Sequence, residues 1–127
     1  MILGVGMDLV DIARVEQMLS RHGERAVTRL FTQGEAAYAR GRAQPARHFA
    51  ARFAAKEAAF KALAGDDLAR TIAWREIEVV VEGDGRPSLA LHGAAARRAA
   101  ALQVRRALVS LTHSETMAGA VVVLEGE

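Results

Sequence analysis

The chain of 127 residues contains no cysteine. That absence excludes a disulfide framework and a thiolate zinc site, and it fits a reducing compartment. No long hydrophobic run opens the chain: MILGVGMDLV lacks a basic leader and reaches Asp8 after a few apolar residues, so it reads as neither a signal peptide nor a membrane span. A cytoplasmic location is the resulting expectation. Internal repeats and low-complexity tracts are also missing, and a chain of this length is most simply one domain over residues 1–127. Net charge is only +2, which argues against a uniformly basic nucleic-acid binder. The glycines of GVGMDL lack a third glycine and a helix opening directly from them, which excludes a dinucleotide-binding loop.

What is present has a globular balance, 51% hydrophobic and 25% charged. The charge is unevenly spread. Between Ile12 and Lys56, nine basic residues (Arg14, Arg21, Arg25, Arg29, Arg40, Arg42, Arg47, Arg52, Lys56) face only Glu16, Glu24 and Glu35, a local surplus of six that leaves the rest of the chain with a deficit of four. A surplus of this kind suits an acidic or phosphorylated partner, although a solvated arginine-rich surface has the same composition.

Ile2 to Asp8 alternates Leu3, Val5 and Met7 with Gly4 and Gly6, a strand with one bare face open to close approach by another backbone or a ligand. From Asp11, well placed as an N-cap, Ile12, Val15 and Leu19 mark a helix. Arg14, Met18, Arg21 and Arg25 follow on another face at spacings of four, three and four, a row suited to docking an acidic amphipathic helix. A helix over 34–40, a break at GRAQPAR and a helix over 48–63 come next, with DDLARTIAW as loop. Residues 76–82 and 88–92 read as a hairpin, 94–102 as a small helix, and 106–112 and 117–124 as strands joined by HSET, the last apolar enough to be central. This order predicts an α+β fold with a largely antiparallel sheet.

The helix carrying FAAKEAAFK sets charged groups against an aromatic stripe. At 100° per residue, Phe49, Phe53 and Phe60 fall within about 40° of one another, and Glu57 lies about 60° from the centre of that stripe with Lys61 about 40° beyond it. Lys56 falls inside the stripe, where a lysine must snorkel outward or meet a desolvated partner. On the helix alone, Glu57 and Lys61 make an i,i+4 surface pair. With Asp8 at the end of the first strand, Glu57 could instead form a minimal site for a hard divalent cation such as magnesium, with Lys61 facing a phosphate oxygen and His113 a third group nearby.

Three blocks, GVGMDLVDIARVEQ, RFAAKEAAFKAL and VSLTHSETMAGAVVVLE, resemble the holo-[acyl-carrier-protein] synthases, the small single-domain 4′-phosphopantetheinyl transferases, over essentially the full length. The resemblance implies transfer of the 4′-phosphopantetheine arm of coenzyme A to a serine of an acidic apo acyl carrier protein. It implies magnesium held by Asp8 and Glu57, phosphate contacts from Lys61, and Arg52, Pro87 and His113 near the nucleotide. It further implies carrier docking through Arg14, Met18, Arg21 and Arg25, and a homotrimer with sites between subunits; Lys56 joins the expected coenzyme A contacts. The implied mechanism is in-line attack by the carrier serine, with Glu57 or a metal-bound water taking its proton. Two departures stand out. GRAQPAR offers Arg42 and Arg47 where relatives carry adjacent basic residues, and Asp66 and Asp67 replace a small glycine and threonine loop, where they would repel a diphosphate unless they point away. A non-enzymatic module that binds an acidic protein through the arginine face, and a metal-dependent phosphohydrolase, are the alternatives from other classes.

Overall fold

A computed structural model describes residues 1–127. Strand β1 (Ile2–Asp11) runs three residues past the expected end because its ladder with the last strand continues to the pair Asp11 and Met117. Asp11 then caps helix α1 (Ile12–His22), its carboxylate accepting from the amides of Ala13 and Arg14. Gly23, at φ 61°, ends α1 and starts α2 (Glu24–Leu30), a helix the sequence pattern did not signal. Helix α3 (Gln33–Arg40) opens on a capping box in which Thr32 and Glu35 satisfy one another's amides.

Helix α4 (Pro45–Leu63) begins at Pro45, where a missing N–H costs nothing, and so starts three residues earlier than expected. Two 3₁₀ turns, Ala69–Thr71 and Trp74–Glu76, replace the expected loop. The hairpin of β2 (Ile77–Val81) and β3 (Pro87–Leu91), helix α5 (Gly93–Ala101), and strands β4 (Arg106–His113) and β5 (Met117–Glu125) complete the chain. All pairing is antiparallel, in a three-stranded sheet ordered β1-β5-β4 and a separate two-stranded hairpin. The α+β expectation holds, and β5 is central as its apolar run suggested.

Helix α4 crosses the inner face of the larger sheet and joins two apolar clusters, one shared with β2, α5 and β5, the other with α1, α2 and α3. Alanine makes this possible. Ala50, Ala51, Ala54, Ala55, Ala58, Ala59 and Ala62 are all buried, so the helix presents almost no side-chain bulk to the strands. Gly4 and Gly6 of β1 complement it: a Cβ on Gly6 would sit 1.8 Å from the carbonyl oxygen of Ala58, and one on Gly4 2.4 Å from that of Ala62. The bare face of β1 is therefore filled by a helix backbone. Its other face is open, with Val5, Met7 and Leu9 at 58%, 65% and 63% exposure, and Leu108 of β4 at 44% across the central strand from them.

Candidate active site

The close contact of β1 with α4 brings the acidic residues together. Lys61 donates to the Met7 carbonyl at 2.9 Å and to Oδ1 of Asp8 at 3.1 Å, so it leaves the helix surface and bridges to the strand. The i,i+4 alternative with Glu57 is not formed. Burial, then the charge of Asp8, pushes the Glu57 carboxyl above its ordinary value of 4.5, opposed by Lys61. Two carboxylates thus crowd one ammonium. No group of three or more His, Asp or Glu side chains gathers anywhere in the chain, which excludes a complete cage of such ligands. An oxygen-only pair fits a hard cation that completes its shell with water and phosphate oxygens, as magnesium does.

On the far side of α4 lies a cleft of about 580 Å³ lined by Tyr38, His48, Arg52, Pro87 and His113 among others. It gathers Arg52, Pro87 and His113, the residues expected at the nucleotide end. Arg52 is 2% exposed, its guanidinium lies 4.2 Å from the Tyr38 ring centre, and its Nε has no partner. The Arg42 guanidinium stands at the same distance from that ring, and the Arg47 Nε is likewise buried and unpartnered. Burial, ahead of the neighbouring charges of Arg52, Arg42, His113 and Arg47, holds His48 below its ordinary pKa of 6.5. The sequence did not single out Tyr38 or His48. The available signal was the four-residue spacing of His48 and Arg52, which stacks them on one helix face.

Asp8, Glu57 and Lys61 do not line this cleft. Counted at 100° per residue, Glu57 and Lys61 stand about 140° and 180° around α4 from Arg52. Within one chain the acidic pair and this cleft therefore face different directions.

The arginine surplus resolves into two groups. Of the nine basic residues, Arg40 pairs with Glu24 and Lys56 with Glu35, and no carboxylate lies within ion-pair distance of the other seven. Arg52 lines the cleft, Arg42 sits over the Tyr38 ring of its wall, and Arg42 and Arg47 both lie near enough to His48 to act on its charge. Arg14, Arg21, Arg25 and Arg29 lie on the side expected to dock a carrier, where Arg14, Met18 and Arg21 line one groove and Met18, Arg21, Arg25 and Arg29 an adjoining one. The four-residue row on one helix needs correction: α1 stops at His22, so Arg25 belongs to α2, and the face spans a helix junction.

Lys56 also needs correction as a coenzyme A contact. It is 0% exposed, lies 2.8 Å from Oε1 of Glu35, and donates to the carbonyls of Trp74 at 3.0 Å and Ile77. All three of its protons are committed inside the protein. The aromatic stripe around it does pack on apolar partners, Phe49 on Phe31 and both Phe53 and Phe60 on Trp74. The acids after α4 are accounted for as well. Asp66 accepts from Arg98 at 3.0 Å and from the Ala69 amide at 2.8 Å, while Arg98 also donates to the carbonyls of Leu63 and Ala64 at the end of α4. Asp67 is fully exposed beside Arg70.

The profile of the 4′-phosphopantetheinyl transferase superfamily matches residues 4–120. A protein of Methylobacterium sp. (strain 4-46) named holo-[acyl-carrier-protein] synthase is 49% identical over 129 residues, covering 98% of this chain and 95% of that one. The holo-[acyl-carrier-protein] synthase of Neisseria meningitidis has a similar structure, with a TM-score of 0.86 at 27% identity over 98% of this chain and 99% of that one. That of Bacillus anthracis, solved in complex with CoA (3′,5′-ADP), gives a TM-score of 0.79 at 31% identity, covering 100% of this chain and 99% of that one. With one profile matched over residues 4–120 and a relative matched over 98% of this chain, the chain belongs to the 4′-phosphopantetheinyl transferase superfamily.

Proposed function

We infer that the chain transfers 4′-phosphopantetheine from coenzyme A to a serine of an apo acyl carrier protein and releases adenosine 3′,5′-bisphosphate. The observation that carries this reading is the Asp8, Glu57 and Lys61 group at the contact of β1 and α4, in a chain whose full-length relatives bear the synthase name. Asp8 and Glu57 are the residues that would hold magnesium, which when bound supplies neutralisation of a diphosphate. Lys61 uses two of its three protons on Met7 and Asp8, which leaves one for a phosphate oxygen. The carrier serine oxygen bonds to the phosphorus bearing pantetheine as the bond to the bridging oxygen breaks. That electron pair leaves with the nucleotide, and the serine proton passes to a base, a role open to Glu57, whose proton affinity is raised, or to a water. The unpaired guanidiniums of Arg14, Arg21 and Arg25 give an acidic carrier both encounter rate and orientation.

The site is completed between subunits of a homotrimer in this reading. Two features support that: the acidic pair and the nucleotide cleft face away from each other within one chain, and the outer sheet face leaves Val5, Met7, Leu9 and Leu108 uncovered. Exposed apolar surface of this kind is what subunit contacts bury. The test is to incubate the protein with magnesium, coenzyme A and apo carrier proteins and weigh the carrier. A gain of one phosphopantetheine is expected. No gain on any of several carriers would overturn the reading, and coenzyme A breakdown without a carrier would instead indicate a hydrolase.

A further inference from the structure

We propose that His48 is a further binding residue for the nucleotide, and that it takes up a proton when a phosphate monoester enters the cleft beside it. The inference rests on the assignment of that cleft to the nucleotide end of coenzyme A, and it adds a residue and a proton to that assignment. The cleft is built for an anion from several sides. Arg52, nine-tenths buried and more, lines it and has a buried Nε without a partner, and one of its terminal nitrogens makes a 3.4 Å contact to the His48 carbonyl. The first turn of α4, which carries Arg47 and His48, has no side-chain cap and no acidic residue, so its dipole adds positive potential at the same place.

The groups facing His48 come from every surrounding element. Tyr38 of α3 meets its ring edge-on at 5.7 Å, Arg42 approaches from the α3–α4 connection, Arg47 and Arg52 share its helix, and His113 reaches in from β4. The β2–β3 hairpin adds Glu82 and Arg86, but these are engaged with Ser88 at 2.6 Å and Asp84 at 2.8 Å. Burial first, and then the cations around the imidazole, disfavours its protonated form; Glu82, held by the Ser88 hydroxyl, is the one carboxylate in the lining. A dianionic phosphate reverses that field. It is a charge-assisted acceptor, and its own second ionisation, near pH 6, is nearly complete at pH 7. A neutral imidazole that gains a proton on binding gives the cleft a preference for the doubly charged 3′-phosphate over nucleotides without it.

Calorimetric titration of the native protein with adenosine 3′,5′-bisphosphate at pH 7, without divalent metal and in buffers of different ionisation enthalpy, reads the protons exchanged directly. The native protein takes up a fraction of a proton, more than with adenosine 5′-monophosphate. His48→Gln abolishes the uptake and weakens binding roughly tenfold, about the value of one charge-assisted hydrogen bond, without moving the thermal midpoint. His113→Gln keeps the uptake. Uptake that survives in His48→Gln, vanishes in His113→Gln or is absent from the native protein overturns the proposal. Should the native protein modify the carrier and yet fail any of these tests, the proposal alone falls. Failure to modify any carrier falls on the transferase reading instead.

Discussion

Replacing Lys56 by methionine removes one half of an ion pair whose two side chains are both 0% exposed. The bulk is nearly conserved, so the loss is electrostatic and polar. Glu35 keeps the amides of Thr32 at 2.9 Å and Val79 at 2.8 Å but loses its only cation, and the carbonyls of Trp74 and Ile77 lose a donor. Breaking one side of a buried pair costs about 3–5 kcal/mol. A chain of this length holds about 6–19 kcal/mol in total, so the variant should fold with much of its margin gone. At about 4 °C per kcal/mol the midpoint should fall by about 12–20 °C. Burial outweighs the attraction of Glu35 and lowers the Lys56 pKa from 10.5, so the unfolded chain binds that proton more tightly. Stability should therefore rise with pH from the folded pKa up to about 10.5, and Lys56→Met should lose that rise. Urea unfolding at two alkaline pH values, with Glu35→Gln and the double variant, completes a cycle in which the double loss is smaller than the sum by about 1–3 kcal/mol. A midpoint within about 2 °C of native, or lost coenzyme A binding at unchanged stability, would refute the structural role given to Lys56.

Three further outcomes follow from the site. Because the Glu57 carboxyl titrates above 4.5 and must be ionised to hold a cation, magnesium affinity should decline as pH falls through a window lying above pH 4.5. Glu57→Gln should remove both that dependence and the transfer while carrier binding persists; a magnesium titration and the carrier mass assay read the two effects. Arg14→Glu should weaken carrier binding most at low salt and progressively less as ionic strength shortens the screening length to about 8 Å at 0.15 M; surface-immobilised carrier at several salt concentrations measures this, and unchanged binding would disprove that face. Val5→Asp sets a charge in the open apolar face of β1; if that face joins subunits as proposed, sedimentation should show a smaller species than the native protein while its circular dichroism is retained.

Much of this molecule can be read from residue order because its signals are local. Asp11 before an apolar stripe announces α1, the turn at EGDGRP announces a hairpin, and the apolar run of 117–124 announces a central strand. Helix α2 escaped because Gly23 breaks the chain for one residue only and the arginine spacing continues across the break as though the helix did. Lys56 was legible as a conflict, a charge inside an aromatic stripe. Its partner was not, since Glu35 lies 21 positions away and its capping-box spacing already gave it a sufficient local role. The fate of Asp66 was hidden for the same reason: Arg98, which turns it aside, arrives from a helix 32 positions later.

Gly4, Gly6, Ala58 and Ala62 contain no functional group, yet they set how near Asp8 can come to Glu57. The spacing of the acidic pair is thus recorded in missing atoms, where a single added methyl would wedge strand from helix. In a saturation map of activity these four positions should be as intolerant as the carboxylates themselves, and a redesign that preserved every charged side chain while filling this seam would inherit the chemistry without the geometry to use it.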